Sequence, residues 1–143
     1  MDKLISLVIP MYCENQVARE CYRRVKGGMV ENDIHHEIIF INDGSTDETL
    51  PILEEIAERD QAVKVISFAR NFGHQIAVTA GIAKAKGDAL VVIDADLQDP
   101  PEVIPEMISL WQKGYHVVYG QRKKRKGETW FKLTTAKYFY RFL

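Results

Sequence analysis

Apolar residues fall in short blocks along this chain, and the blocks differ in period. Leu4-Ile5-Ser6-Leu7-Val8-Ile9, Glu37-Ile38-Ile39-Phe40-Ile41, Val63-Lys64-Val65-Ile66-Ser67-Phe68, Ala89-Leu90-Val91-Val92-Ile93 and Tyr115-His116-Val117-Val118-Tyr119 are mostly continuous runs rich in β-branched residues. Such runs predict strands, several of them buried on both faces. Between them the spacing becomes helical. Val17, Cys21, Val25 and Met29 form one stripe, with Gly27-Gly28 marking a fraying end. Leu50, Leu53, Ile56 and Ala57 form another, with Ser45 or Thr46 placed to cap it and Asp47 and Glu48 suited to the helix dipole. Ile76, Ala77, Ala80, Gly81, Ala83 and Ala85 make a small-residue helix that can approach a sheet closely, and Val103, Ile104, Met107, Ile108 and Trp111 follow the prolines at 100 and 101. Strand and helix alternate five times with short connections and no internal repeat. The expected fold is α/β, a mainly parallel sheet with helices on both faces.

Each predicted strand runs into a polar loop, and loops at the carboxyl ends of parallel strands converge on one crevice. Glu14, Asp43, Arg70 to Gln75, Asp94 to Asp99 and Arg122 are therefore expected to share a site. Asp94 and Asp96 sit at i and i+2 where the fourth strand ends, so an extended backbone aims both carboxylates to one side. A hard divalent cation such as Mg²⁺ relieves their repulsion and keeps positions free for phosphate oxygens. Asp43 suits a nucleobase N–H or a ribose hydroxyl, and equally an Asx turn or helix cap. Arg70, Asn71, His74 and Gln75 crowd donors at a turn before a helix. Tyr12 and Phe72 are candidates to stack on a base or simply to close a core; His35, His36 and His116 are read as structural. The chain has no Gly-x-Gly-x-x-Gly, and Gly44-Ser45-Thr46 is too short for a Walker loop, which argues against dinucleotide and P-loop readings.

Composition adds an asymmetry. A chain of 143 residues with 46% hydrophobic and 27% charged residues is an ordinary globular domain. Its net charge of −1 hides a tail, residues 121–143, with eight basic side chains against Glu128 alone. A solvated charge run, a nucleic-acid patch and an anionic-lipid anchor all fit Arg122 to Lys126. Trp130 to Leu143 interleaves aromatics with bases in a potential helix, suited to a membrane interface or to packing on the sheet. Cys13 and Cys21 lack metal-type spacing, and no signal peptide or transmembrane run is recognisable, so a cytosolic-side domain with reduced thiols is expected. The ending on Phe142-Leu143, without cap or polar tail, suggests the N-terminal part of a longer protein.

Four stretches resemble one family. Ser6-Leu7-Val8-Ile9-Pro10-Met11-Tyr12-Cys13-Glu14, Asn42-Asp43-Gly44-Ser45-Thr46-Asp47, Arg70-Asn71-Phe72-Gly73-His74-Gln75 and Asp94-Ala95-Asp96-Leu97-Gln98-Asp99-Pro100-Pro101 follow the order and spacing of family 2 glycosyltransferases with the GT-A fold. Within it, the chain is most similar to the polyprenyl-phosphate branch, which includes dolichol-phosphate mannosyltransferases and undecaprenyl-phosphate glucosyltransferases. Cys13 stands where the family usually has Asn, and Asn42 where it usually has Asp.

The resemblance implies an inverting, metal-dependent hexosyltransferase using Mg²⁺ or Mn²⁺. Pro10, Tyr12, Glu14 and Asp43 would hold the base and ribose of a nucleotide sugar, with Arg70 and His74 also on the donor. Asp94, Asp96 and Gln98 would surround metal and diphosphate. Asp96 and Arg122 are the catalytic candidates, and Arg122 and Arg125 would grip the phosphate of a polyprenyl acceptor. The implied division is a nucleotide-sugar-binding domain over 1–120 and, over 121–143, a basic acceptor loop leading into an aromatic membrane-interface helix. The implied setting is the cytoplasmic face of the membrane, with a C-terminal anchor beyond this stretch. The histidine-bearing 71–75 loop favours a UDP-hexose over GDP-mannose. A soluble family 2 enzyme acting on polysaccharide or protein, and a non-catalytic nucleotide-sugar-binding fragment, are the alternatives. Nucleic acid is not an expected partner; a homo-oligomer is compatible with the sequence.

Overall fold

The computed structural model describes residues 3–98, 100–125 and 128–136. It divides into two compact units, 1–101 and 102–143. The first contains β1 (Ile5–Met11), α1 (Ala18–Glu31), β2 (His36–Asn42), α2 (Thr49–Arg59), β3 (Val63–Ser67), α3 (His74–Lys84) and β4 (Ala89–Val92). The strands form one sheet in the order β3-β2-β1-β4, parallel throughout. β1 is buried along its whole length and β2 from Glu37 onward, as expected of central strands in a covered parallel sheet.

The strand order sets the layers. From β1 to β3 the chain steps one way across the sheet, and from β3 it returns past β2 and β1 to β4. Right-handed crossovers then place α1 and α2 on one face and α3 on the other. α3 packs against β1 and β2, over a core that includes Val8, Ile39, Ile41 and Ala77. Gly81 permits that approach: a Cβ there would lie 2.8 Å from Ile41 Cδ1 and nearer still to Val8 Cγ1. The reversal of direction falls between β1 and β4, where the loops that follow them part and leave room for a ligand.

The amino end of the sheet is closed by polar groups that satisfy one another. Glu37, on β2, accepts hydrogen bonds from Ser6 Oγ at 2.6 Å, the Lys86 amide at 2.7 Å and Lys64 Nζ at 2.9 Å. Ser6 Oγ accepts from the Gly87 amide at 2.8 Å. Burial pushes the Glu37 carboxyl up, and the bonds from Ser6, Lys86 and Lys64 outweigh it, so its pKa lies below the usual glutamate value.

Local readings needed correction at several places. α1 does not fray at Gly27-Gly28 but runs to Glu31, because buried Met29 anchors its last turn. Ser45 and Thr46 do not cap α2; Asp47 Oδ1 accepts from the Thr49 amide at 2.9 Å instead, and the two hydroxyls turn toward Cys13.

A turn of 3₁₀ helix over Pro101–Val103 spans the boundary, and the second unit holds α4 (Ile104–Gln112), β5 (Val117–Arg125) and β6 (Glu128–Ala136). β5 was expected to be a fifth parallel strand over 115–119; it pairs antiparallel with β6 in a two-stranded sheet and runs on through Gly120 into the basic stretch. β6 occupies much of the segment expected to be an aromatic helix. Thr129, Trp130, Phe131, Thr134 and Thr135 are better strand formers than helix formers, and pairing with β5 gives them a nine-rung antiparallel ladder to join. The part of that expected helix from Lys137 onward, like Asp99 and Lys126, lies outside the described residues. Among the described residues no helix is long and apolar enough to cross a membrane.

Candidate functional site

A cavity of about 400 Å³ opens at the carboxyl end of the parallel sheet, built from residues of the first unit. Pro10 and Met11 end β1 and form its floor; Tyr12 and Glu14 come from the loop that follows; Asp43 follows β2; Asn71, Gly73 and His74 lead into α3; Asp94, Ala95 and Asp96 follow β4. The wall residues are held by their neighbours in the fold. The Asp43 amide donates to Met11 O at 2.9 Å, joining the ends of β1 and β2. The β1 loop is then tied to the β2 loop through three amides: Cys13 to Ser45 Oγ at 2.9 Å, Glu14 to Thr49 Oγ1 at 2.9 Å and Asn15 to Asp47 Oδ2 at 3.3 Å. Ser45, Asp47 and Thr49 thus position Tyr12 and Glu14.

Asp43 does comparable work on the other side. Its carboxylate accepts from the Phe72 amide at 2.8 Å, the Gly73 amide at 3.1 Å and Asn71 Nδ2 at 3.1 Å. Three donors on a carboxylate leave one of roughly four acceptor directions for a ligand, so the turn-forming and ligand-facing readings of Asp43 both hold geometrically. Gly44 lets the two loops touch: at φ +70° its Cβ would fall 2.7 Å from Arg70 Cα.

Both departures from the family pattern have a local account. Asn42 is buried and uses both ends of its amide, donating to Ser67 Oγ at 3.0 Å and accepting from the Ser45 amide at 3.2 Å. Cys13 has φ +53°, a conformation that Asn tolerates well and Cys less well; its thiol is exposed and close to Thr46 Oγ1, which lowers its pKa. Neither residue lines the cavity.

Asp94 and Asp96 reach the same cavity as the i, i+2 reading expected, but β4 ends at Val92 and Ala95-Asp96 lies in a turn rather than in extended chain. Ile93 and Ala95 are buried while Asp94 and Asp96 are exposed and line the cavity. The Ile93 amide continues the ladder to Val8 O at 3.0 Å. His74 Nε2 lies 3.1 Å from Asp94 Oδ1, and the Gln98 amide donates to Asp96 Oδ1 at 3.2 Å across a turn in which Leu97 has φ +62°. Glu14 completes an acidic rim. Its pKa is raised, first by burial and then by the negative charges of Asp96, Asp47 and Asp94.

Arg70 is not among the lining residues; its guanidinium lies 4.2 Å from the centre of the Phe72 ring, which itself meets Phe68 edge-on. Gln98 contributes its backbone to Asp96 rather than a lining side chain. Arg122 and Arg125 belong to β5, in register opposite Phe131 and Glu128. Asn71, Gly73 and Ala95 line the cavity as members of the stretches 70–75 and 94–99 expected to share the site, though without individual roles, and Met11 lines it without having been expected there. Asn71 and Gly73 were signalled by their place in the loop before α3 and Ala95 by its place between Asp94 and Asp96, whereas Met11 shows only as a neighbour of polar residues.

The donor set bears on a metal. Among the described residues no group of three or more His, Cys, Asp or Glu side chains is arranged to hold an ion by itself. Two exposed carboxylates on one side of a strand end, beside a glutamate whose ionisation they oppose, fit a hard cation whose remaining positions are filled by water and by oxygens of a bound ligand.

The parallel sheet and its helices match the GT-A fold of solved structures. A mannosyltransferase from Pyrobaculum calidifontis, in complex with GDP-Man and Mn²⁺, superposes with a TM-score of 0.65 at 19% identity over 76% of this chain and 32% of its own. Glucosyl-3-phosphoglycerate synthase from Mycobacterium tuberculosis, with UDP, gives 0.61 at 24% identity over 78% of this chain and 41% of its own. The chain belongs to glycosyl transferase family 2, whose model matches residues 6–142. It is 56% identical over 138 residues to an uncharacterised glycosyltransferase, YkcC, of Bacillus subtilis, covering 96% of this chain and 43% of that protein. It is 42% identical over 137 residues to a bactoprenol glucosyl transferase of Shigella phage SfV, covering 96% and 45%. The chain therefore spans less than half the length of these relatives.

Proposed function

We propose that the protein of which this chain forms the donor-binding part transfers a hexose from a nucleoside-diphosphate sugar to a polyprenyl phosphate at the cytoplasmic face of the membrane, with inversion at the sugar C1. UDP-hexose is the preferred donor and GDP-mannose the next candidate. The observation that carries this reading is the pair Asp94 and Asp96, exposed together on the wall of a cavity at the carboxyl end of the sheet. The similarity to a bactoprenol glucosyl transferase supports the lipid acceptor.

Pro10, Tyr12, Glu14 and the remaining acceptor direction of Asp43 hold base and ribose. Asn71 and Gly73, pinned by Asp43, form the wall beside them, with Arg70 buttressing that loop through Phe72. His74 orients Asp94, and the Gln98 amide orients Asp96, so that the two carboxylates face the diphosphate. Asp94 and Asp96 would hold Mg²⁺ or Mn²⁺, which would supply positive charge against the departing nucleoside diphosphate. An oxygen of the acceptor phosphate attacks C1, the bond from C1 to the donor's β-phosphate oxygen breaks, and that oxygen keeps the electron pair. The acceptor is already anionic near neutral pH, so no side chain has to remove a proton. The protein's task is alignment, which Arg122 and Arg125 perform by gripping the acceptor phosphate.

Calorimetric titration with UDP and GDP, each with Mn²⁺ and with chelator, tests the donor half. Metal-dependent binding of UDP is expected. A folded chain that binds neither nucleotide overturns the reading. The second reading, a nucleotide-sugar-binding unit inactive alone, is favoured by coverage of less than half of each relative. It predicts the same binding with no transfer in any acceptor mixture.

A further inference from the structure

We infer that Tyr22, Lys26, His36 and Asp60 form an acid-sensitive latch, which fastens α1 to the sheet in neutral solution and opens in mild acid when the His36 ring becomes an imidazolium. The cluster lies where β2 begins. It is on the face opposite Glu37, since successive strand residues alternate, and Glu37 is committed to Ser6, Lys64 and the Lys86 amide. Both ring nitrogens of His36 are engaged. Nδ1 lies 2.8 Å from Ile34 O, and a carbonyl only accepts, so this nitrogen carries the hydrogen. Nε2 lies 3.0 Å from Lys26 Nζ, and an ammonium only donates, so this nitrogen is the bare acceptor. The latch therefore requires the neutral ring.

Lys26 Nζ also lies 3.0 Å from Asp60 Oδ2, which accepts from the Tyr22 hydroxyl at 2.7 Å, while Asp60 Oδ1 accepts from the Ala62 amide at 3.0 Å. One connected set of bonds thus joins α1 to the entry of β2 and to the corner between α2 and β3. A proton on Nε2 would set an N–H against the Lys26 ammonium, two like charges 3.0 Å apart, and Asp60 is already shared between Lys26 and Tyr22. Burial first, then the Lys26 and His35 charges, hold the His36 pKa below its ordinary value against the pull of the Ile34 carbonyl and Asp60. Once the latch is open, the ring titrates near the ordinary value of about 6.5. The stability that the latch contributes is therefore complete above that value and is lost as pH falls through the lower value of the closed state. None of the four residues lines the donor cavity, so the inference does not rest on the proposed function.

The test is an NMR titration of the His36 ring in the full 143-residue chain, joined to hydrogen exchange of the amides of residues 24–31 and 60–63 over the pH range from about 7.5 to about 5.5. His36 is expected to titrate below about 6.5. After correction for intrinsic rates, exchange of those amides should accelerate as pH falls below that value, by at most about tenfold per pH unit, the limit for one proton. His36→Gln offers Lys26 an amide oxygen that takes no proton, and it should abolish the acceleration. Lys26→Gln should move the His36 midpoint upward. A folded chain whose His36 titrates at or above about 6.5, or an acceleration that persists in His36→Gln, would overturn the inference. If His36→Gln does not fold, the ring titrations of the parent and of Lys26→Gln decide it.

Discussion

The two ends of the parallel sheet treat carboxylates in opposite ways. At the amino end, buried Glu37 has three donors and its pKa is lowered. At the carboxyl end, Glu14, Asp94 and Asp96 line a cavity in which His74 lies beside Asp94, and the Glu14 pKa is raised. Both ends are polar, but only one is internally balanced. A balanced carboxylate holds backbone together, whereas Glu14, whose ionisation is opposed by burial and by the neighbouring acids, is kept at a cost to the apoprotein and points to a positively charged ligand.

The largest expected effect comes from breaking the balanced end. Glu37→Ala leaves the Lys86 amide, Ser6 Oγ and Lys64 without their shared acceptor and should cost about 3 kcal/mol in denaturant unfolding, with Lys64 partly exposed and so able to find water. Where that variant is still folded, its nucleotide affinity should match the parent's. Asp96→Ala should do the reverse. It removes an exposed carboxylate and no core volume, so the unfolding free energy should change by less than about 0.5 kcal/mol. Calorimetry with Mn²⁺ should show nucleotide affinity reduced by about 100-fold. If Asp96→Ala destabilises the fold as much as Glu37→Ala does, the contrast between the two ends is not one of structure against ligand.

That contrast was partly legible in the sequence. The strands of the sheet were visible because β1 and β2 are continuous apolar runs, and the site was visible because topology gathers the residues after each run at one end. Asp94 and Asp96 followed from a period of two at a strand end. Glu37 was hidden, since a single acid opening an apolar strand looks like a solvent-facing terminus until Ser6 and Lys64 are brought beside it from other strands. The scaffolding role of Ser45, Asp47 and Thr49 was hidden for the same reason: their partners are 32 to 35 residues away. The hairpin was misread because Trp130 to Ala136 has no strict period. Only pairing with the basic stretch before it decides between helix and strand.

A smaller effect is expected from the acceptor side. Arg122→Ala should leave donor binding as it is and lower the rate of transfer to a polyprenyl phosphate by about 10- to 100-fold. Equal losses in donor affinity and in acceptor use would mean that Arg122 serves the nucleotide, and that the acidic rim and the basic strand are one site rather than two.

The finest test of the two ends is acid titration, because their glutamates change stability in opposite directions. Glu37 has a lowered pKa in the fold, so the stability it contributes is fully present above the ordinary glutamate pKa of about 4.3 and is lost as pH falls through its lower folded value. Glu14 has a raised pKa, so the folded chain binds its proton more readily than the unfolded chain does. Its ionisation opposes folding at neutral pH, and this penalty is relieved as pH falls through its folded value toward about 4.3. Glu14→Gln should therefore stabilise the apoprotein slightly at pH 7, with the difference from the parent vanishing in mild acid. Saturating Mn²⁺ and nucleotide should reverse the sign at pH 7, since the metal then offsets the charges of Asp96 and Asp94 that oppose Glu14 and the nucleotide gains the Glu14 carboxylate as an acceptor. Urea unfolding of both proteins across this range, with and without ligand, measures the difference directly. A Glu14→Gln variant less stable than the parent at pH 7 without ligand would show that the acidic rim is balanced after all.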